Sequence, residues 1–350
     1  MTHPIKIESI LPSDLLEVQW DLTNYCNFNC HYCFPGSSAG DYKVTADLDL
    51  LVDNFTHFVN EYKQKLGITQ VHLKFGGGEP TLWKNFGEFI QKLKDKNKNL
   101  YIGVVTNGSR TLRWWEQYGH LIDNATLSFH YEQADLNHHI AVADILSKLG
   151  KKTTVLVLMD PAQWDDIVKS IDYMKSNHKG NWFIEAKTIV DTANVKITYT
   201  AEQQKFLLKE IKQLPSFFWF LKNYKLVFNG LIKRYRSIAT FDNGQRLKAK
   251  SGTYLAKEWN KFKGWSCDIG KDHIYIKWSG EVQGACGQTP FQRSTRFNIL
   301  DEDFKSTFNL DFKPSICSQS LCNCQPETHI SKIKLSDNKL SMIPVVIQQS

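Results

Sequence analysis

The chain has 350 residues, 42% of them hydrophobic, enough for one large core with a smaller appendage. Its net charge of +7 falls largely in helix-end runs such as Lys92 to Lys98, which are solvated faces, and no arginine–aromatic interleaving of a nucleic-acid module occurs. No apolar run approaches the ~20 residues of a membrane helix and no basic-then-apolar leader opens the chain, so its eight cysteines point to metal ligation in the cytoplasm, not to a disulfide framework.

From residue 16 to about 215, short β-rich runs alternate with amphipathic windows, the pattern of parallel strands joined by crossover helices in an α/β fold. The predicted strands are 17–23, 70–75, 100–106, 125–130, 153–159 and 182–189. Between the first two, Leu48, Leu51, Phe55, Phe58, Tyr62 and Leu66 recur at helical spacing, with Thr45 as predicted N-cap and Gly67 as the stop. Leu136, Ile140, Ala143 and Leu146 form a second stripe closed by Gly150. Asp160-Pro161 starts a third, with Trp164, Ile167, Ile171 and Met174 on its buried face. Along the strands, Gln19 and Asp21, His72 and Lys74, Ser128 and His130, and Glu185 and Lys187 are polar at period two. If Val18, Trp20, Leu73 and Phe75 meet the helices, these polar residues line a wet cavity, unlike the branched apolar filling of a closed barrel.

The chemistry is concentrated on the loop after the first strand. In Asn24-Tyr-Cys-Asn-Phe-Asn-Cys-His-Tyr-Cys-Phe34, Cys26, Cys30 and Cys33 supply three thiolates where a cubic iron–sulfur cluster takes four donors, which leaves one iron open to a small molecule. Gly76-Gly-Gly-Glu-Pro80 ends the second strand; bare backbone there admits close approach, and an acid follows it. The two motifs together resemble the signature of the radical S-adenosylmethionine (radical SAM) superfamily. That resemblance implies a partial (β/α)6 TIM-like barrel, open on one side, with the cofactor at the carboxyl ends of the strands. It implies Cys26, Cys30 and Cys33 as ligands of a catalytic 4Fe–4S cluster and Tyr32 near the adenine. Gly77, Gly78 and Glu79 would meet the methionyl amine, and Asn107, Ser128 and His130 the ribose or carboxylate. The implied reaction is reductive cleavage of S-adenosylmethionine to a 5′-deoxyadenosyl radical. Hydrogen abstraction from a peptide, a sugar or another small polar substrate would follow, with a donor such as flavodoxin or ferredoxin supplying the electron.

Five further cysteines, Cys267, Cys286, Cys317, Cys322 and Cys324, all follow residue 260. Between the first two, residues 273–283 alternate as a hairpin with Ser279-Gly280 at its turn, which would bring Cys267 and Cys286 together. This set resembles the SPASM or twitch auxiliary-cluster extension of radical SAM enzymes, which implies a second 4Fe–4S cluster and a net oxidation. Five candidates exceed four ligands by one. The expected organisation is an N-terminal extension over 1–15, the partial barrel over 16–215, and a linker with a small cysteine-rich domain over 216–350. The rival reading is a protein holding zinc at both cysteine sets and binding a partner or nucleic acid without radical chemistry. His138 and His139, adjacent on a helix, point apart and share no metal.

Overall fold

The computed structural model describes residues 3–33, 40, 44, 46–189, 197–210, 237–249, 253–254, 257–284, 297–318, 320–322 and 329–335. Its elements run β1 (Pro4–Ser9), β2 (Leu15–Thr23), α1 (Leu48–Leu66), β3 (Gln70–Gly77), α2 (Phe86–Lys96), β4 (Leu100–Thr106), α3 (Leu112–Tyr118), β5 (Asn124–Phe129), α4 (Leu136–Lys148), β6 (Lys152–Met159), α5 (Trp164–Asn177), β7 (Phe183–Thr188) and α6 (Ala201–Glu210). Then follow β8 (Ser237–Phe241), β9 (Arg246–Ala249), β10 (Ser266–Cys267), β11 (His273–Ile276), β12 (Glu281–Gln283), β13 (Phe297–Asn298), a short helix at Phe304–Thr307, β14 (Ser315–Ile316) and β15 (Lys332–Ile333).

Strands β2 to β7 pair in parallel in sequence order, each step crossing over through a helix. Among the described residues β7 pairs only with β6, so the sheet is an open partial barrel. The helices cover one face because the strands are apolar at every second residue. Val18, Trp20, Leu73, Phe75, Ile102, Val104, Leu127, Phe129, Val155 and Val157 are buried in one core with the helices. Trp20 anchors it, stacked 5.9 Å from Phe55 and edge-on to Phe89 at 5.8 Å.

The other face is wetter, as the period-two pattern requires. Register sets Tyr275, Gln19, Lys74, Gly103 and Asn124 side by side, with His273, Glu17, His72 and Tyr101 in the layer below. Towards the far edge Ser128, Leu156 and Glu185 form a higher layer. Most of these inward residues are partly solvent-accessible while their neighbours along each strand are buried.

Helix ends follow the expected chemistry with two shifts. Asp47 caps α1, its carboxylate accepting from Leu50 N at 2.9 Å, while Thr45 lies outside the described residues; Gly67 closes the helix at φ 67°. Asp160 caps a 3-10 turn at Pro161–Gln163, so α5 itself begins at Trp164.

The predicted hairpin forms as β11 and β12, with Gly280 at φ 85° in its turn. It does not stand in a separate module. β11 pairs in parallel with β2, its buried Ile274 and Ile276 beside Val18 and Trp20, and so extends the barrel sheet. A second sheet runs β14-β10-β15-β1-β8-β9, with the N-terminal strand inside it. The expected boundary at residue 216 therefore does not coincide with the boundary between sheets. The second sheet has its own core of Ile7, Phe241, Tyr254, Trp259, Phe262 and Trp265. Among the described residues no helix is long and apolar enough to cross a membrane.

Candidate active site at the mouth of the partial barrel

The cysteine loop and the glycine-rich turn, 50 residues apart, are stitched together at the carboxyl ends of β2 and β3. Gly78 N donates to Thr23 O at 2.6 Å and Glu79 N to Tyr25 O at 2.8 Å. This closeness is what demands glycine: a Cβ at Gly78 would lie 2.1 Å from Tyr25 O, and one at Gly77, where φ is 100°, 2.3 Å from Thr23 O. Cys26, Cys30 and Cys33 are free thiols on the loop so held. Phe28 N donates to Cys26 Sγ at 3.4 Å and Asn107 Nδ2, from the end of β4, reaches it at 3.6 Å.

The electrostatics call for a cation. Burial pushes the Cys26 thiol up, with Glu79 and Cys33 adding to it; Cys30 is pushed up to about 12, chiefly by burial and then by the negative charges of Glu132, Cys33 and Cys26. Cys26 and Cys30, which resist ionisation, become thiolates when a soft metal centre takes them. Among the described residues no three His, Cys, Asp or Glu side chains converge tightly enough to hold one metal ion. A cluster needs no such convergence, because each thiolate binds its own iron. The donor set and its N–H contacts to sulfur thus fit an iron–sulfur cluster.

Beside the loop, Tyr32 stacks on His130 at 5.8 Å and 16°, its hydroxyl 3.0 Å from His130 Nδ1, and Phe28 meets the same imidazole edge-on. Burial pulls His130 down to about 4, so the ring is neutral at pH 7. Ser128 is partly exposed one inward position below His130 on β5. His31 spans the mouth, 3.4 Å from Glu132 Oε2 and 3.5 Å from Asp160 Oδ2. His138 turns to the carbonyls of Gly108 and Arg110, while His139 is buried against Phe129. A pocket of about 240 Å³ opens here, lined by Phe28, Asn107, Ser109, Gln133, Asp135 and His139 among others. Glu185 and Lys187 make no ion pair with each other among the described residues; two positions apart on one strand, their stems run side by side.

Glu79 turns inward beneath the glycine turn. It is fully buried: Oε1 accepts from Thr81 N (3.0 Å), Thr81 Oγ1 (2.6 Å) and Thr106 Oγ1 (2.7 Å), and Oε2 from Asn107 N (2.6 Å). Glu79 caps the 3-10 turn at Pro80–Leu82, and its side chain folds back beneath that turn onto donors at the end of β4. The acid clamps the ends of β3 and β4 together. Thr81, Thr106, Asn27, Glu132 and Asp160, which complete this site, have no spacing signal in the sequence beyond lying next to strand ends.

Residues 20–179 match the Radical SAM superfamily. The chain carries a radical SAM domain. The family uses a 4Fe–4S cluster and S-adenosylmethionine. Among curated proteins it is similar to the GTP 3′,8-cyclase of Helicobacter pylori (strain ATCC 700392 / 26695), 26% identical over 182 residues, which are 48% of this chain and 54% of that one. The chain spans about half the length of the curated relatives it matches. Among solved structures, Streptococcus suis SuiB bound to S-adenosylmethionine aligns over 86% of this chain and 67% of its own, at 14% identity and TM-score 0.51. SuiB bound to the precursor peptide SuiA aligns over 86% and 66%, at 14% identity and TM-score 0.50. At such identity these structures establish the fold.

Beyond the radical SAM domain, Cys267 and Cys317 lie on and beside the paired strands β10 and β14, close enough for the Cys317 charge to act on Cys267. Burial pushes Cys267 up to about 11, against the pull of Lys332, its cross-strand neighbour. Cys317 and Cys322 both pack on the second core. Cys286 and Cys324 lie outside the described residues, so the expected meeting of Cys267 with Cys286 does too.

Proposed function

We propose that this protein is a radical SAM enzyme that cleaves S-adenosylmethionine reductively and abstracts hydrogen from a polar substrate, with net oxidation. The observation that carries the reading is the joining of the three-thiol loop to the glycine turn by the Gly78–Thr23 and Glu79–Tyr25 hydrogen bonds. When bound, the first cluster and S-adenosylmethionine would supply one-electron cleavage chemistry and a hydrogen-abstracting adenosyl group, and a second cluster would supply a one-electron acceptor for the substrate radical.

The chain's own residues supply the rest. Cys26, Cys30 and Cys33 hold the first cluster, and Asn107 Nδ2 and Phe28 N donate to sulfur, which steadies the reduced state. The neutral Tyr32–His130 stack offers an apolar face with a polar edge to the adenine. Gly77 and Gly78 present backbone without side chains to the methionyl end, and Ser128 and Asn107 lie within the same mouth. The half-accessible layers of Gln19, Asp21, His72, Thr126 and Glu185 suit a polar substrate, a peptide or a small polar metabolite. The relatives' name specifies a nucleotide and one SuiB structure a peptide, so both classes belong in the screen. Four of Cys267, Cys286, Cys317, Cys322 and Cys324 hold the second cluster, and an external donor of the flavodoxin or ferredoxin kind delivers the electron.

Anaerobically reconstituted protein, reduced with dithionite in the presence of S-adenosylmethionine, is expected to release 5′-deoxyadenosine, and the Cys26→Ala/Cys30→Ala/Cys33→Ala variant to release none. Undiminished product from that variant refutes the assignment. So does wild-type protein that binds zinc and takes up neither iron nor sulfide.

A further inference from the structure

The second sheet carries a lysine where its neighbours call for an apolar side chain. Strand pairing sets Ser315, Cys267, Lys332, Ile7 and Ala239 abreast across β14, β10, β15, β1 and β8, so that they share one face. Ile7 and Ala239 are wholly buried in the second core on that face, and Cys267 and Lys332 are only 8% and 4% exposed. An ammonium taken that far from water is held by opposite charge or by ring faces. Lys332 Nζ lies 4.4 Å from the centre of the Phe262 ring, and its charge acts on Cys267, its partner across the strands. The nearby carboxylate of Asp268 is met by a different lysine, Lys271, at 3.7 Å.

The late cysteines gather at the same place. Cys317 follows β14 directly, its N–H donating to Trp265 O at 2.8 Å, and Cys322 N donates to Asn260 O at 2.8 Å. Both thiols pack on the core to which Phe262 and Trp265 belong, so the ring that carries the Lys332 ammonium also borders these cysteines. Three thiols placed in this way suit one iron–sulfur cluster, with the fourth donor drawn from Cys286 or Cys324 outside the described residues. A cluster held by four thiolates is an anion, and each electron it takes adds one more negative charge. An apolar core by itself disfavours that added charge, just as it disfavours the ionised form of a buried acid. We propose that Lys332 is the built-in counter-charge of the second cluster, stabilising its reduced form and so raising its reduction potential. This inference rests on the proposed second cluster and adds to it a residue that makes it the better electron acceptor.

Redox titration followed by electron paramagnetic resonance tests it, in the anaerobically reconstituted Cys26→Ala/Cys30→Ala/Cys33→Ala protein, where the late cysteines alone hold iron. Adding Lys332→Met keeps the length of the side chain and removes its charge. Reduction of the second cluster is then expected to become about tenfold less favourable, a fall of about 59 mV for a one-electron couple, while Lys332→Arg stays near the parent value. An unchanged or raised potential in Lys332→Met, or equal falls in both variants, overturns the proposal. Should Lys332→Met load no iron, iron content decides: loading kept by Lys332→Arg supports a need for the charge, and loading lost from both overturns it. Wild-type protein that takes up iron for one cluster and no more overturns the second-cluster reading instead, and this inference with it.

Discussion

Replacing Glu79 by Ala tests whether the glycine turn is held from beneath by one buried carboxylate. The substitution strips the acceptor from four donors at once: two hydroxyls, Thr81 Oγ1 and Thr106 Oγ1, and two backbone amides, Thr81 N and Asn107 N. The hydroxyls can turn to other partners. The amides cannot, and each buried unpaired donor costs about 1–3 kcal/mol. With the cavity left by the side chain added, the loss is on the order of 4 kcal/mol, a large part of the ~5–15 kcal/mol that holds a domain together. Glu79→Gln keeps the shape and one acceptor oxygen but turns an amide NH2 towards a donor, so about 2 kcal/mol is expected. Urea unfolding followed by far-UV circular dichroism measures both. An Ala variant within about 1 kcal/mol of wild type, or a Gln variant as damaged as the Ala variant, would refute the clamp.

Two further outcomes follow from the same geometry. His273 is almost wholly buried, with Nδ1 2.9 Å from Asp272 Oδ1 and Nε2 2.9 Å from Glu17 Oε2; burial pulls it down, but the two carboxylates outweigh burial and leave it at about 9. Because the folded value is raised, its stabilisation is full below the unfolded value of about 6.5 and is lost as pH rises through about 9, a change on the order of 3 kcal/mol. Wild-type melting temperature should fall more steeply from pH 7 to 10 than that of His273→Gln, and parallel curves would show the pair to be inert. Gly78→Ala drives a Cβ into Tyr25 O, backbone that cannot yield without moving the cysteine loop; bound iron and sulfide should drop severalfold while circular dichroism is kept. Full iron loading in Gly78→Ala would show that the loop is not placed by this contact.

What the sequence makes legible is set by how local the cause is. Strands β2 to β7 lie within a few residues of their predicted bounds, because alternation of buried and wet side chains is a property of each strand alone. Cys26, Cys30 and Cys33 cluster through spacing in one loop, equally local. The place of Glu79 is not local in that sense. Its side chain folds beneath its own turn because Thr106 and Asn107, on the next strand, supply donors there, and no pattern in one segment records that. The sheet membership of the hairpin was hidden for the same reason: Ile274 and Ile276 read as any half-buried strand, and only the open edge of β2 decides where they pair.

The late hairpin also changes how the barrel interior should be understood. A six-stranded partial barrel would leave β2 as an exposed edge, with unpaired backbone groups open to other chains. β11 covers that edge and at the same step brings His273 against Glu17 and Tyr275 against Asp21 on the inner face. These contacts sit one above the other, so the edge strand that protects the sheet also fixes two carboxylates of its wall. Loss of the hairpin would therefore take one partner from Asp21 and one from Glu17 together, Tyr275 and His273, and so loosen both carboxylates of the wall at once.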